Sequence, residues 1–328
     1  MSSAHSKYTI VVTGVGAVIG QGIVRSLRKV HSNIRVIGVD RDSFAAGKQW
    51  CDTFIVKPEG EEDSPLYDTF WSELVTREGV DMIIPSLDVD VFYLNSKRDF
   101  FSALKVVLAL NTPELIHLAR DKWLTLRALQ KNGIPHIPSL IEGDWEQLKI
   151  DLGEPPFLMK PRVGSGSKGI VFIKDRRDYD YWKQLNAEQF IIQRIVGSAH
   201  EEFTVASFGF GDGSALLPLI MKRSLGGTGS TQKAEVVQDM AILDAVERLN
   251  RVFRPLGPTN YQFRKEKGKP LLLEINARIS SSTSIRTAFG YNEAHMCLEY
   301  FLLNTLPTTP NIRPGRAVRY YQDYVELT

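Results

Sequence analysis

The chain alternates between two patterns of apolar and polar positions. In its first third, short runs that are apolar at nearly every position recur: Tyr8–Thr13 (YTIVVT), Ile34–Asp40 (IRVIGVD), residues 81–85 (DMIIP) and residues 106–110 (VVLAL). Runs of this length without polar alternation predict strands buried on both faces. The segments between them, such as residues 21–30 and 66–78, read as helices. Strand–helix alternation of this kind predicts a parallel sheet with right-handed crossovers.

The pattern changes at Asn111-Thr112-Pro113-Glu114, a helix-start signal, and residues 113–131 predict one or two amphipathic helices. A Pro-marked connector (GIPHIP, residues 133–138) leads to a strand and then to a glycine-rich stretch, residues 160–169 (KPRVGSGSKG). Beyond it, alternating runs predict hairpins up to Arg278, then helix over residues 284–303. The tail, residues 317–325, predicts one more strand.

Within the hairpin region one segment carries a chemical pattern. Two alternating runs flank a turn near Gly268, with Gln262 six residues before it and Glu274 six after. Symmetry about that glycine would set Gln262 and Glu274 face to face. The period of two then places Glu274, Asn276 and Arg278 on one face and Leu273, Ile275 and Ala277 on the other. Carboxylate and amide oxygens are hard ligands suited to Mg²⁺, which takes the rest of its shell from substrate phosphates. A solvated polar face with a surface ion pair is the plain alternative.

Three further segments gain meaning beside it. Glycines after Lys160 would let backbone N–H groups approach phosphate oxygens, with Lys160 or Lys168 adding charge, although a mobile surface loop fits the same residues. Lys122 follows Asp121 at a helix start and, alone, reads as a solvated lysine. The run Phe190–Arg194 continues through Ile195 and Val196 toward Glu201 and Glu202, an apolar strand ending in a linker.

Composition narrows the class. The 328 residues are 43% hydrophobic and 24% charged, ordinary for a folded chain of two or three units. A formal charge of +2 and no basic tract with interleaved aromatics argue against a nucleic-acid partner. Two cysteines, Cys51 and Cys297, lie far apart and offer neither a disulfide framework nor a zinc site. No apolar run reaches the roughly 18 residues of a membrane span. Residues 1–7 show neither a signal peptide's apolar core nor a transit pattern, so a cytoplasmic location and no membrane partner are expected.

In order and spacing these segments resemble the ATP-grasp superfamily, and most of all its carbamoyl phosphate synthetase large-chain branch. The most specific piece is Asn260-x-Gln262 followed by Glu274-x-Asn276-x-Arg278. The resemblance implies an α/β fold: a Rossmann-like pre-ATP-grasp domain (residues 1–112), then a two-lobed α+β ATP-grasp domain. Residues 113–196 would form its small lobe and residues 197–328 its large lobe.

It implies ATP with Mg²⁺ (or Mn²⁺) as cofactors, with Gln262, Glu274 and Asn276 on the metal and Arg278, with Asn276, at the reacting phosphoryl group. Lys122 and Lys160 would contact ATP phosphates, and the loop Arg162, Ser165, Gly166, Ser167, Gly169 would close over them. Gln193, Arg194, Ile195 and Val196 would form the adenine hinge, and Glu202 would hold the ribose. Arg223, with Lys222 and Lys233, is a second-tier candidate for phosphate or substrate carboxylate. Ser280, Ser281, Ser282, Thr283, Arg286 and Asn292 are candidates for the acceptor pocket.

Two departures stand out: Ala277 where the family commonly has proline, and Gln262 where many relatives have a carboxylate. The implied reaction is carbon–nitrogen ligation through an acyl phosphate, joining a small polar acid or amino acid to an amine. A homodimer is the candidate assembly.

Two rivals remain at this stage. One is an NAD(P)-dependent oxidoreductase built on Gly14-x-Gly16 and Asp40, whose third glycine, Gly20, falls one residue late for the dinucleotide fingerprint. The other is a non-catalytic ATP-binding module.

Overall fold

The protein is described by a computed structural model covering residues 7–30, 33–60, 62, 64–164, 169–186, 190–227 and 229–326. The first unit runs β1 (Tyr8–Thr13), α1 (Val18–Arg28), β2 (Ile34–Asp40), β3 (Thr53–Val56), α2 (Pro65–Glu78), β4 (Met82–Ile84), α3 (Asp88–Ser96), α4 (Arg98–Ala103) and β5 (Val107–Leu108). Its five strands pair in parallel in the order β3-β2-β1-β4-β5. Ile10, Val11, Val12, Ile37, Met82 and Ile83 are all fully buried, because helices cover both faces. Helix α1 starts at Val18 rather than Gln21. Its N-cap, Ala17, makes no side-chain cap, so the sequence carries no start signal there.

The amphipathic stretch after residue 112 is two helices, α5 (Pro113–Arg120) and α6 (Lys122–Lys131). Thr112 caps the first, and Asp121 ends it and caps the second by accepting from the backbone N–H groups of Trp123 and Leu124. A small antiparallel sheet follows, built from β6 (Ser139–Leu140), β7 (Phe157–Pro161), β8 (Val171–Ile173) and β9 (Phe190–Arg194) in the order β6-β9-β7-β8. Helices α7 (Trp145–Leu152) and α8 (Arg176–Asn186) accompany it around a core of Leu148, Phe157, Ile173 and Tyr179.

The third sheet holds six antiparallel strands in the order β14-β13-β10-β11-β12-β15. They are β10 (Glu202–Phe210), β11 (Leu219–Leu225), β12 (Thr231–Val236), β13 (Leu256–Glu266), β14 (Lys269–Asn276) and β15 (Arg316–Val318). Helix α9 (Met240–Phe253) precedes β13, and α10 (Thr283–Ala288) and α11 (Glu293–Cys297) follow β14. The expected tail strand is limited to β15, and the helical stretch after residue 284 is broken between α10 and α11.

The first and third sheets share apolar cores. Val11, Ile37 and Ile83 belong to one cluster with Phe203, Val205, Tyr261 and Ile275. Ile10, Val12 and Met82 belong to another with Phe208, Ile279, Tyr291 and Cys297. The carboxyl edge of the parallel sheet is thereby held against the polar face of β13 and β14. Among the described residues no helix is long and apolar enough to cross a membrane.

Candidate functional site

The β13–β14 hairpin turns through Lys267 and Gly268, both at positive φ (49° and 80°), as a two-residue loop of this kind requires. From Glu266↔Lys269 the register runs to Phe263↔Leu272, then shifts so that Gln262 pairs with Glu274 and Asn260 with Asn276. Leu273 is the extra residue of a β-bulge. The facing of Gln262 and Glu274 is therefore as the sequence predicts, but its cause is the bulge and not symmetry about Gly268. The bulge also corrects one expectation: Leu273 leaves the apolar face and lines the cleft, while Leu272, Ile275 and Ala277 enter the core.

On the polar face of this sheet Glu274 stands where four adjoining cavities meet. It makes no hydrogen bond with a described residue, and burial pushes its carboxyl upward against the pull of Lys122, Arg278 and Lys160. Lys160, in β7, is 7% exposed. Burial and the neighbouring Lys122 lower its ammonium to about 8, with Glu274 opposing. Burial also lowers Lys122, whose ammonium donates to the Gly164 carbonyl (2.7 Å) at the start of the glycine-rich segment. A half-buried carboxylate and two desolvated ammoniums without a full set of partners form an arrangement suited to a charged ligand.

Several expected ligand residues also pair within the protein. Glu202 is 4% exposed. Its Oε1 accepts from Arg223 Nη2 (2.9 Å) and its Oε2 from Arg264 Nη2 (3.0 Å), a strut between strands that also lines the cleft beside Lys160. Arg223 also donates to Gln262 Oε1 (2.8 Å) and Thr231 Oγ1 (3.3 Å), so it is a buried cross-brace that borders both clefts. The Gln262 oxygen thus accepts one hydrogen bond at the edge of both clefts, which leaves it a second lone pair. Arg162 pairs with Asp121 (Nη2–Oδ2 2.5 Å), tying the base of the glycine-rich segment to the start of α6 instead of reaching into the cleft.

Of the expected hinge, Gln193 lines the cleft and donates to Ser139 Oγ (2.7 Å). Arg194 turns away to Glu266 (2.7 Å), Ile195 is half-buried, and Val196 packs with Ile137 and Leu271. Ser165, Gly166, Ser167 and Lys168 lie outside the described residues, and Gly169 precedes β8. Ser280 and Ser281 line a cleft, whereas Arg286 is wholly buried on Glu293 (2.9 Å) and Asn260, and Asn292 caps α11.

Two clefts flank Glu274. One, of about 880 Å³, runs between the four-stranded and six-stranded sheets, with Lys122, Lys160 and Gln193 on one side and Gln262, Arg264 and Glu274 on the other. Leu158, Ile170, Leu225 and Leu273 give it apolar walls, as a flat aromatic ring needs. The second, of about 1010 Å³, opens toward the first unit, where Leu87, Asp88 and Val89 face Asn260, Asn276, Arg278 and Ser280. Across it Arg278 forms a two-point ion pair with Asp88 (Nε–Oδ1 2.6 Å, Nη2–Oδ2 3.1 Å).

Asp88, Arg264 and the apolar wall residues were not among the residues expected from sequence. Asp88 carried one signal: it follows β4 at the carboxyl edge of a parallel sheet, where open α/β folds place ligand contacts.

The donor set suits a hard divalent cation only in part. Glu274 offers a carboxylate, and the buried Asn276 has an amide nitrogen without a partner. Turning that amide over presents its oxygen to the same side as Glu274. One carboxylate and one amide oxygen suit a Mg²⁺ ion that completes its shell with phosphates and water. Among the described residues no cluster of three or more His, Cys, Asp or Glu forms an all-protein site.

The glycine turn of the first unit is otherwise engaged. Asp40 Oδ2 accepts from Gly16 N (2.7 Å) and Oδ1 from Asp42 N (3.1 Å). The 3-10 turn Ala46–Trp50 packs so closely that a Cβ on Gly47 would lie 2.0 Å from the Val15 carbonyl. Asp40 thus locks the turn, and Gly47 packs over it.

The fold and the arrangement of the site resemble those of ATP-grasp proteins. Residues 199–324 match a family model described as ATP-grasp in the biosynthetic pathway with Ter operon. No curated protein matches the chain by sequence.

Among solved structures, N5-carboxyaminoimidazole synthetase from Staphylococcus aureus, complexed with ADP, superposes with a TM-score of 0.71 at 16% identity, over 97% of this chain and 82% of that one. The biotin carboxylase domain of the Hydrogenobacter thermophilus 2-oxoglutarate carboxylase, in complex with MgADP, ADP and bicarbonate, gives 0.72 at 14% identity, over 94% and 73%. Biotin carboxylase from Campylobacter jejuni, with a β,γ-ATP ligand, gives 0.72 at 15%, over 94% and 74%. At such identities the likeness is one of fold.

Proposed function

We propose that the protein is an ADP-forming carboxylate–amine ligase that uses ATP and Mg²⁺. The observation that carries this reading is the position of Glu274, re-aimed by the Leu273 bulge so that Lys122, Lys160 and Arg278 act on it where the clefts meet. The ADP, MgADP and β,γ-ATP ligands of the three structural neighbours support the nucleotide assignment.

The cleft between the two antiparallel sheets receives the nucleotide, its base between Leu158, Ile170 and Leu273 and its phosphates toward Lys122 and Lys160. Glu274 and Asn276 would hold Mg²⁺, which when bound neutralises charge on the phosphates. Arg278 stabilises charge on the phosphoryl group in transfer, the role open to a guanidinium at the far side of Glu274. A carboxylate oxygen forms a bond to the γ-phosphorus as the bond to the ADP oxygen breaks. An amine then attacks the acyl carbon, inorganic phosphate leaves, and the ammonium's surplus proton passes to solvent. Positioning and charge neutralisation carry the rate, and no protein nucleophile is needed.

The test is isotopic. Turnover with a carboxylate labelled with ¹⁸O on both oxygens should place one label in the released phosphate. Turnover that releases unlabelled phosphate would exclude an acyl phosphate.

A further inference from the structure

On the polar face of the six-stranded sheet, one amide is held from a residue outside the clefts. Asn260 shares a face of β13 with Gln262, lines the second cleft and is 1% exposed. Its Oδ1 accepts from Thr204 Oγ1 (2.6 Å) and from Arg286 Nη2 (2.5 Å), and Arg286 Nη2 also donates to Thr204 Oγ1 (2.9 Å). Arg286 sits in α10, wholly buried, and lines neither cleft.

These bonds decide which end of the amide is left over. A guanidinium only donates, so the Asn260 atom that Arg286 meets must be the oxygen. Thr204 alone could not decide, because a hydroxyl donates to an oxygen or accepts from an N–H group equally well. Arg286 also donates to the Thr204 oxygen, which turns that hydroxyl's hydrogen toward Asn260. The Asn260 nitrogen makes no hydrogen bond with a described residue, so a buried side chain keeps its N–H groups for the cleft it lines.

Resting on the ligase reading, we propose that Arg286 is a positioning residue: it holds the Asn260 amide with its N–H groups toward the second cleft, where they donate to the terminal phosphoryl group of the nucleotide. The two clefts meet at Arg223, Gly229, Gln262 and Glu274, whereas Asn260 lines the second alone. Phosphates laid along Lys122 and Lys160 approach that junction from the first cleft, and only the last of them passes it. MgADP therefore leaves the Asn260 nitrogen unpaired and MgATP does not. Without Arg286 the amide is free to turn over, and its oxygen would then oppose the phosphoryl oxygens.

The experiment compares, by calorimetry, the affinities of MgADP and of a non-hydrolysable MgATP analogue. Arg286→Met combined with Glu293→Gln removes both charges of the buried pair, so that neither is stranded. Affinity for the analogue should fall about tenfold or more relative to that for MgADP, as expected for a lost hydrogen bond to a charged group. Asn260→Ala should show the same selective loss, and combining all three changes should cost no more. Thr204→Val removes a bond to the same oxygen but leaves Arg286 in place, so it should keep the wild-type ratio of affinities.

Equal losses for both nucleotides, additive losses in the combined variant, or the same selective loss in Thr204→Val would each overturn the proposal. So would an unchanged ratio in Asn260→Ala, which decides the matter even if the paired Arg286 and Glu293 changes prevent folding. A wild-type protein that binds neither nucleotide would instead sink the ligase reading on which the proposal stands.

Discussion

Gln262 faces Glu274 across the β13–β14 pair because Leu273 is bulged out between them. Had the register of the turn continued without a bulge, Gln262 would oppose Leu273, and Glu274 would point with Tyr261 into the apolar core. With Leu273 present, the bulge thus decides whether the only acidic side chain on this stretch of strand meets the cleft or the core.

Deleting Leu273 makes Glu274 the next residue after Leu272, so Gln262 should still face Glu274, now in regular register. Magnesium-dependent nucleotide binding should then stay within about tenfold of wild type, as it should in Leu273→Met. Calorimetric titration of both variants checks this. A loss of two orders of magnitude or more in the deletion would mean that the bulge itself, and not the pairing of Gln262 with Glu274, shapes the site.

Glu202 is predicted to act in stability. Its two oxygens hold Arg223 and Arg264, and all three lie on one sheet face. Glu202→Gln should destabilise the protein by about 3–5 kcal/mol, because it strands the fully buried Arg223 charge. Denaturant unfolding measures this, and a loss below about 1 kcal/mol would mean that the triad is not a brace.

Lys160 gives two pH effects of opposite sign. Its folded-state pKa of about 8 lies below the ordinary 10.5, so between those values the unfolded chain holds more protons than the folded one. The unliganded protein should then gain stability as pH rises through that window. Nucleotide affinity should fall over the same range as the ammonium is lost. Both slopes should be absent from Lys160→Met, and a wild-type affinity flat from pH 7 to 10 would contradict the assignment.

Asp40→Ala should loosen the glycine turn without touching nucleotide binding, since its carboxylate serves the Gly16 and Asp42 backbone. The expected cost is about 1–3 kcal/mol of stability. A large loss of ATP-analogue affinity would move the nucleotide to the first unit.

Much of the architecture was legible because its signals are local. The apolar runs of β1, β2 and β4 can be buried only in a covered parallel sheet, and the Asn260 to Arg278 segment alternates cleanly enough to read as a hairpin. What was not legible depends on partners distant in sequence. Nothing near Glu202 announces Arg223 and Arg264, which reach it from neighbouring strands. Nothing near Arg278 announces Asp88, 190 positions away. Arg286 looked like a pocket residue because it follows the polar strand, yet Glu293, one turn beyond α10, draws it into the core. Charged residues were readable as a set. Which of them pair with one another was visible only in the fold.

The central claim is that Glu274 is the magnesium and nucleotide centre, and the most direct measurement is calorimetry with a non-hydrolysable MgATP analogue, beside NADH, on wild type and Glu274→Ala. Wild type should bind the analogue only with magnesium present, Glu274→Ala should lose that binding while melting at or near the wild-type temperature, and neither should respond to NADH. Equal, magnesium-independent binding by both proteins, or binding of NADH in place of the analogue, would contradict the account.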